Sequence, residues 1–305
     1  MIVSENAQTI RNAFDAGGNH RKVCLTIGNF DGVHAGHRFL LSAVREEADA
    51  GNLLAVAVTF TPHPLKVLAP ERAPQLIVSR DEKMKLIGRT GMDAVLEIHF
   101  NWDVARMSPV DFVEKYLMPL RPAKLVIGWD FSLGRGRSGN AQVLRRIGTE
   151  HGFAVRQMPA FRIGGEVISS TRIRKSLSAG VVAGLPGMSE YLRPVDAVVA
   201  SVKYNGGVPE AEISVQDIML PGSGLYEAKI QDESLMCPAL VRIDGSQTPR
   251  VQTLHPRRAS WKQGSALRLF LIRDVTEDAK TVRQSAGSWL QPVPDCDMFQ
   301  QSPAV

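Results

Sequence analysis

The chain has 305 residues, 44% of them hydrophobic and 22% charged, with a formal net charge of +5 and a pI near 9.2. This composition is typical of a globular protein of about two domains. The mild basicity favours anionic small molecules such as nucleotides, and we expect no nucleic-acid partner because no run of Lys and Arg stands beside interleaved aromatic residues.

The sequence shows no feature of an exported or membrane protein. We expect no signal peptide, because the first residues lack a basic start followed by an apolar core. We expect no membrane span, because no apolar run approaches about 18 residues. Cys24, Cys237 and Cys296 have neither metal-binding nor disulfide spacing, which indicates reduced thiols in a cytoplasmic protein. The oligomeric state is left open.

The first predicted elements form a β-turn-α-β unit. After a short helix at 4–16, the apolar run 23–27 is typical of a buried strand. A glycine-rich turn at 28–36 leads into a helix at 37–49, which has apolar residues on one face and charged residues on another. The apolar run 53–60 predicts a second strand, buried on both faces and reached by a right-handed crossover.

The turn at 28–36 is the first candidate site. Its glycines let the backbone approach a ligand, and the helix start beneath it offers unpaired N–H groups to an anion. His34 and His37 lie three residues apart at that helix start, and two imidazoles there suit phosphate chemistry. Hydride transfer is disfavoured because the turn does not read G-x-G-x-x-G. The alternative is a glycine-rich turn with two solvated histidines.

A second candidate site follows the strand at 53–60. His63 stands between Pro62 and Pro64 at the carboxyl end of this strand, the edge at which parallel sheets bind ligands. A ligand contact by this rigidly held histidine is one interpretation, and a proline-locked turn with an incidental histidine is the other. The proline-rich segment 67–76 predicts an irregular, mobile flap.

The middle of the chain continues the alternation of helices and strands. Ser79, Ser108 and Asn140 are predicted N-caps. The predicted elements are a helix at 80–90, a strand at 94–99, a helix at 109–117, a strand at 124–127, a helix at 140–149 and a strand at 153–158. Alternation of this kind between residues 15 and 180 predicts an α/β fold with a doubly wound parallel sheet.

The loop at 128–139 is the third candidate site, again at the carboxyl end of a predicted strand. It combines four glycines with Asp130, Arg135 and Arg137. The arginines suit phosphates, and Asp130 suits the ribose or base of a nucleotide, or a flavin. The alternative is a glycine-rich surface loop.

The fourth candidate site is the helix start at 168–174, which reads Ile-Ser-Ser-Thr-Arg-Ile-Arg. A Ser/Ser/Thr run before a helix predicts an N-cap. Outward-facing helix N–H groups beside Arg172 and Arg174 also suit a γ-phosphate or a leaving diphosphate. Both interpretations can hold at once, and all four candidate sites are expected on one edge of the sheet.

The second half of the chain predicts a small antiparallel β-barrel. Short β-like runs separated by glycine-containing turns, with almost no helix, indicate this architecture. The runs lie at 196–203, 211–215, 224–230, 239–243, 251–254 and 266–272.

The four candidate sites resemble, in order, the motifs of one family. GNFDGVHAGH at 28–37 is similar to the signature of the HxGH nucleotidyltransferases, in the form found in the bacterial bifunctional riboflavin kinase/FAD synthetases. TFTPHP at 59–64, GWDFSLGRGRSG at 128–139 and ISSTRIR at 168–174 resemble three further motifs of that family. Leu133 replaces the usual Phe of the third motif, so an aromatic face is lost there.

The resemblance implies a domain organisation. It predicts a Rossmann-like nucleotidyltransferase (FAD synthetase) domain at 1–185, a riboflavin-kinase-like barrel at 190–285 and a disordered tail at 286–305. Small-molecule nucleotides and flavins would be the partners of such a protein.

The resemblance also implies an activity, that of an FMN adenylyltransferase converting ATP and FMN to FAD and diphosphate. Mg²⁺ would be bound through the phosphates, with no direct protein ligand. The implied catalytic residues are His34, His37, Arg172 and Arg174. The implied substrate- and nucleotide-binding residues are Gly28, Asn29, Phe30, Asp31, Gly36, Phe60, His63, Asp130, Arg135, Arg137, Ser169, Ser170 and Thr171.

The riboflavin kinase half departs from the family. No proline in the chain is followed by threonine, although the family's Mg-ATP-binding run ends in Pro-Thr-Ala-Asn. Gln252 stands at the place of the family's catalytic Glu, and a neutral amide cannot accept the 5′-hydroxyl proton as a carboxylate can. We therefore expect a barrel without riboflavin kinase activity. The alternatives are an HxGH nucleotidyltransferase for another phosphate acceptor, a full bifunctional enzyme, or a flavin- or nucleotide-binding regulatory protein.

Overall fold

The computed structural model describes residues 1–185, 187–188, 193–205, 208–232, 236–244, 249–253 and 261–276. The chain forms two compact units. The first unit comprises Met1–Leu177, Gly184–Tyr191 and Asp217–Met219, and the second comprises Ser178–Ala183, Leu192–Gln216 and Leu220–Val305. The predicted disordered tail at 286–305, the end of the predicted strand at 251–254 and the thiol of Cys296 lie outside the described residues.

The first unit is built on a six-stranded sheet in the order β1-β4-β3-β2-β5-β6. Every neighbouring pair runs parallel, which confirms the predicted doubly wound sheet. The strands are β1 (Ile2–Ser4), β2 (Val23–Ile27), β3 (Leu54–Thr61), β4 (Ala94–His99), β5 (Pro122–Ile127) and β6 (Ala154–Gln157). From β2 the chain adds β3 and β4 on one side and later β5 and β6 on the other. The strand order therefore reverses between β2 and β5, and such a switch point leaves a crevice at the carboxyl ends of the strands.

The helices of the first unit begin at polar caps. Ser79, Ser108 and Asn140, the predicted caps, each accept a hydrogen bond from the backbone N–H three residues further on. The helices are α1 (Ala7–Ala16), α2 (Ala35–Ala50), α3 (Pro64–Leu68), α4 (Arg80–Arg89), α5 (Trp102–Arg106), α6 (Pro109–Phe112), α7 (Ala141–His151) and α8 (Ser170–Ser178). A short hairpin, β7 (Arg162–Ile163) and β8 (Glu166–Val167), precedes α8.

The core packs against both faces of the sheet. Leu25 and Ile27 of β2 join one buried cluster with residues of α1 and α6, whereas Cys24 joins another with residues of α2 and α4. Alternate side chains of a strand point to opposite faces, so a central strand covered on both sides is apolar throughout. All five residues of β2 are buried, so the strand holds the first residue of the following turn in place.

Three local predictions are wrong in detail. The helix predicted at 4–16 starts only after β1, with Asn6 as its cap. The helix predicted at 109–117 is divided into α6 and a π-helical turn, Val113–Leu117. The segment 67–76, predicted to be irregular, contains the end of α3 and a 3₁₀ turn, Pro70–Arg72. A three-residue strand and a single helical turn are too short for the hydrophobic period on which these predictions depend.

The second unit is a closed barrel of antiparallel strands, as predicted, in the order β10-β13-β12-β11-β14-β9. The strands are β9 (Pro194–Asn205), β10 (Val208–Ser214), β11 (Gly224–Gln231), β12 (Met236–Ile243), β13 (Arg250–Thr253) and β14 (Ala266–Asp274). Within the part of the chain that the structure describes, no helix has the length and apolar composition needed to span a bilayer.

Candidate active site

A cleft of about 960 Å³ opens at the carboxyl ends of the strands of the first unit. It is lined by residues that end or directly follow β2 to β6, among them Ile27, Phe60 and Gly128. Every site residue predicted from the sequence lines this cleft except Arg135 and Arg172. The four candidate sites therefore share one cavity.

The two histidines stand together at the start of α2. The His37 backbone N–H donates to Nδ1 of His34, at 3.3 Å, so His34 is the N-cap of this helix. The two rings stack with their centroids 3.7 Å apart and their planes 19° from parallel. Because Nδ1 of His34 is an acceptor, the neutral ring carries its proton on Nε2.

Both imidazoles are neutral near pH 7. Burial, followed by the charges of Arg38 and Arg174, lowers the pKa of His34 to about 3. Burial also lowers the pKa of His37 well below its ordinary value. Nδ1 of His37 is buried without a hydrogen-bond partner among the described residues. The pair therefore offers N–H donors to a ligand rather than full positive charges.

The turn between β2 and α2 is tightly wound. Phe30, Gly32 and Val33 have positive φ angles of 50°, 81° and 38°. The Phe30 side chain is fully buried and meets the His37 ring edge-on, with centroids 5.4 Å apart. Phe30, which was predicted to bind the nucleotide, lines the cleft, and its ring packs against that of His37.

The starts of α2 and α8 are in close contact at Gly36. A Cβ atom on Gly36 would lie 3.1 Å from the carbonyl oxygen of Ile168 and 3.2 Å from the His34 ring. Only a residue without a side chain allows this approach, and it brings Ser169, Ser170 and Thr171 to the same cleft as the histidines.

Asp31 connects the first motif to the last. Its carboxylate accepts hydrogen bonds from the backbone N–H groups of Ile77, at 2.9 Å, and Val78, at 3.4 Å, and forms an ion pair with Arg174. The Ser170 hydroxyl donates to the Asp31 carbonyl at 3.1 Å. Burial raises the pKa of Asp31, against the lowering effect of Arg174. The Asp31 side chain is thus held by backbone N–H groups that precede α4 and by an arginine of α8.

The two arginines of the fourth motif differ in position. Arg174 lines the cleft, where it pairs with Asp31 and donates through Nε to the Gln75 carbonyl at 2.9 Å. Arg172 instead pairs with Glu166 of β8, at 2.5 Å, outside the cleft lining. Residues two apart on a helix point in nearly opposite directions, so a helix that presents one of them to the cleft turns the other away.

The loop that follows β5 forms another wall of the cleft. Arg137 donates to the Ser132 hydroxyl at 2.7 Å and to the Asp130 carbonyl at 3.3 Å, which folds the loop over itself. The Arg135 backbone N–H donates to the Met107 carbonyl at 2.8 Å, and its side chain does not line the cleft.

His63 forms a further wall, at the end of β3. Its Nδ1 accepts from the backbone N–H of Leu65 at 3.2 Å and caps α3, and its Nε2 lies 3.4 Å from the side-chain amide of Asn29. Burial, then the charges of Arg174 and Lys83, lowers the pKa of His63 to about 4. This histidine is therefore also neutral near pH 7.

Several cleft residues were not predicted from the sequence. Trp129, about half exposed, lines both the cleft and an adjoining cavity of about 460 Å³. Phe131, Phe161 and Arg72 also line the cleft. An aromatic residue inside a glycine-rich loop, as at Trp129, is a signal that would have found it, because such loops are otherwise polar. Arg72 carries no signal beyond its charge.

The described residues contain no group of three His, Cys, Asp or Glu side chains placed to hold a metal ion.

The cleft at the switch point of this parallel sheet contains imidazoles, an arginine and two helix starts. These features define a nucleotidyltransferase-type α/β protein. The chain belongs to the FAD synthetase family, whose sequence profile matches residues 17–172. This confirms the resemblance found in the four motifs.

Two relatives illustrate the range of the family. The chain is 33% identical over 210 residues to a bifunctional riboflavin kinase/FMN adenylyltransferase of Escherichia coli (strain K12), covering 68% of this chain and 67% of that protein. It is 29% identical over 213 residues to a FAD synthetase of Listeria monocytogenes serovar 1/2a, covering 68% of this chain and 81% of that protein.

One solved structure matches both units. It is a crystal structure of a Streptococcus pneumoniae protein described as a macrolide-efflux protein, with a TM-score of 0.77 and 19% sequence identity, covering 94% of this chain and 99% of that one. At this level of identity the match establishes the fold alone.

Proposed function

We propose that the protein is an FMN adenylyltransferase, which converts ATP and FMN to FAD and diphosphate. The observation that carries the proposal is the shared cleft, in which the imidazoles at the start of α2 face the same space as Ser169–Thr171 and Arg174 at the start of α8. Membership of the FAD synthetase family supports the choice of FMN as the acceptor.

The reaction is an in-line displacement at the α-phosphorus of ATP. An oxygen of the FMN phosphate forms a new P–O bond, the bond from the α-phosphorus to the bridging oxygen breaks, and diphosphate leaves with that electron pair. The Nε2–H group of His34, aided by His37, would donate to the α-phosphate oxygens as negative charge builds there. No proton needs to be transferred by the protein, so catalysis consists of positioning and charge stabilisation.

The start of α8 would hold the leaving diphosphate. Its first-turn N–H groups and the hydroxyls of Ser169 and Thr171 would be the donors, and Arg174 would add a positive charge, while the Ser170 hydroxyl stays bonded to the Asp31 carbonyl. Arg172 was predicted to share this task, but its position beside Glu166 leads us to assign the diphosphate to Arg174 alone. Phosphate charge would be neutralised further by a Mg²⁺ ion bound through the phosphate oxygens.

The remaining walls of the cleft suit the two ring systems. Phe60, Trp129 and Phe131 provide apolar surface for an adenine and a flavin, and Asp130 and Arg137 add polar groups beside it. Gly28 and Asn29 continue β2 into the same space. These roles, together with a cytoplasmic location, are part of the proposal.

The barrel is proposed to lack riboflavin kinase activity. The residue at the place of the family's catalytic carboxylate is Gln252, which lies on β13 opposite Leu240 of β12 and Glu210 of β10. The amide has no basic oxygen with which to accept a hydroxyl proton. The absence of a Pro-Thr pair from the sequence points the same way.

One assay tests both parts of the proposal. Purified protein is incubated with ATP and Mg²⁺ and with either FMN or riboflavin, and the flavins are separated by chromatography. FAD formed from FMN, with no product from riboflavin, is the expected pattern. FMN formed from riboflavin would show a full bifunctional enzyme. No FAD from FMN, with diphosphate released when another phosphate ester is supplied, would show a different acceptor.

A further inference from the structure

Lys83 is a buried cation that the chemistry described above does not use. It lies on α4 with only 8% of its surface exposed. Its Nζ donates to the hydroxyl of Thr59 and to the carbonyl of Phe60, both at 3.2 Å. A buried ammonium is unfavourable unless it is hydrogen-bonded, so these two bonds fix it beneath the end of β3.

Thr59 extends this contact to the turn that follows β2. Its hydroxyl accepts from Lys83 and donates to the carbonyl of Asn29, at 3.2 Å. The amide of Asn29 in turn meets His63. Phe60, the other acceptor, begins the short stretch that leads to His63. One ammonium therefore links two segments that line the cleft, the turn after β2 and the loop after β3.

The charge of Lys83 is influenced by two carboxylates and one guanidinium group. Burial lowers the pKa of Lys83, while Glu97 and Asp31 raise it and Arg80 lowers it. Glu97 is itself engaged by Arg80, through two hydrogen bonds from Nε of 3.0 and 2.9 Å. The positive charge of Lys83 also acts on two histidines of the cleft, His37 and His63.

Besides burial, Lys83 and other charged neighbours lower the pKa values of two histidines of the cleft. The charged and titratable groups acting on His63 are Arg174, Lys83 and Lys66. Those acting on His37 are His34, Arg38 and Lys83. Lys83 is common to both sets, and a nearby cation makes an imidazole harder to protonate.

We propose that Lys83 is a positioning residue of this site: its ammonium group fixes the spacing of the two cleft-lining segments and places a positive charge near His37 and His63. The inference rests on the proposed function for its kinetic readout, but its electrostatic readout does not depend on any activity.

The electrostatic test is an NMR titration of the ligand-free, full-length protein. Lys83→Met keeps an unbranched side chain, one atom shorter, and removes its charge, so the pKa of His63 rises from its starting value of about 4. Lys83→Arg keeps the charge and should keep the pKa low. Lys85→Met, which removes an exposed lysine two residues further along α4, is the matched control and should change nothing.

The kinetic test uses the same variants in the FAD assay. Lys83→Met should lower kcat about tenfold, with a smaller change in KM, and should move the acid limb of the pH–rate profile to higher pH. Lys83→Arg should recover most of the rate. If Lys83→Met does not fold, Lys83→Gln, which keeps a donor without the charge, replaces it in both tests.

The outcomes separate the two proposals. A His63 titration and a pH–rate profile in Lys83→Met that match those of the unmodified protein would overturn the positioning inference. An unmodified protein that forms no FAD would overturn the proposed function, and the NMR titration would then decide the inference by itself.

Discussion

His34 serves the helix and the cleft through different atoms of one ring. Nδ1 caps α2 by accepting from His37, and this leaves the Nε2–H group for the cleft. A good N-cap contributes about 1 kcal/mol to stability, whereas a donor to transition-state charge contributes about 3 to 4 kcal/mol to the rate. An alanine at this position would remove both effects, so an informative substitution keeps the cap.

Asparagine at position 34 separates the two effects. Asn is among the best N-caps, and its side-chain oxygen can replace Nδ1 as the acceptor. We expect His34→Asn to lower kcat for FAD formation by about 10²- to 10³-fold, with little change in the thermal unfolding midpoint. His20→Asn is the control, because the His20 side chain is 71% exposed and lies outside the cleft. A His34→Asn rate close to that of the control would contradict the role given to the imidazole.

The buried imidazole also predicts how stability depends on pH. The pKa of His34 is about 3 in the folded protein and near 6.5 when the chain is unfolded, so between these values the unfolded state binds more protons. The contribution of His34 to the free energy of unfolding is fully present above about pH 6.5 and is lost as the pH falls towards 3. Urea unfolding at pH 7 and pH 5 should therefore show a larger loss for the unmodified protein than for His34→Asn. Equal losses would mean that His34 titrates normally.

The starts of α2 and α8 meet at Gly36, which lines the cleft. Replacing a glycine by alanine inside a helix normally stabilises it by about 1 kcal/mol. At Gly36 the added methyl group would press on the Ile168 carbonyl and the His34 ring. We expect Gly36→Ala to lower FAD formation at least about tenfold, because small displacements of reacting groups reduce rates strongly.

Gly88 provides the matched control for this prediction. It is also a helical glycine, in α4, but a Cβ there would meet only the flexible side chain of Met1, at 3.3 Å. Gly88→Ala should leave the rate unchanged and raise stability slightly. If Gly36→Ala were as active as Gly88→Ala, the close approach of the two helices would have no functional importance.

The elements and the location of the site were predictable, because both follow from short-range patterns. Apolar runs and polar caps predict β2, β3, α2 and α7, and chemistry-bearing residues directly after strands in a parallel sheet meet at one edge. Side-chain partners were not predictable. Nothing in the sequence shows that Asp31 binds the Ile77 amide, or that Lys83 reaches Thr59. The difference between Arg172 and Arg174 depends on the rotation of α8, which its short motif does not define.

At the scale of the whole molecule, the first unit is not continuous in the sequence. Asp217–Met219 belongs to it, although the strands on either side belong to the barrel. The Leu76 N–H donates to the Asp217 carbonyl and the Met219 N–H donates to the Leu76 carbonyl, both at 2.8 Å. Leu76 directly precedes Ile77, whose N–H group holds Asp31. The cleft is therefore braced by a segment that the four motifs do not contain.

A substitution within this segment measures the importance of the brace. Ile218 is 6% exposed, and truncation of a buried isoleucine to alanine commonly destabilises by about 2 to 5 kcal/mol. We expect Ile218→Ala to shorten the half-life of FAD-forming activity at elevated temperature, because loosening of this segment releases Leu76 and then Asp31. Val198→Ala on β9 is the control, since Val198 is 48% exposed. If the two variants lost activity at the same rate on heating, residues 1–191 would define the cleft without the segment at 217–219.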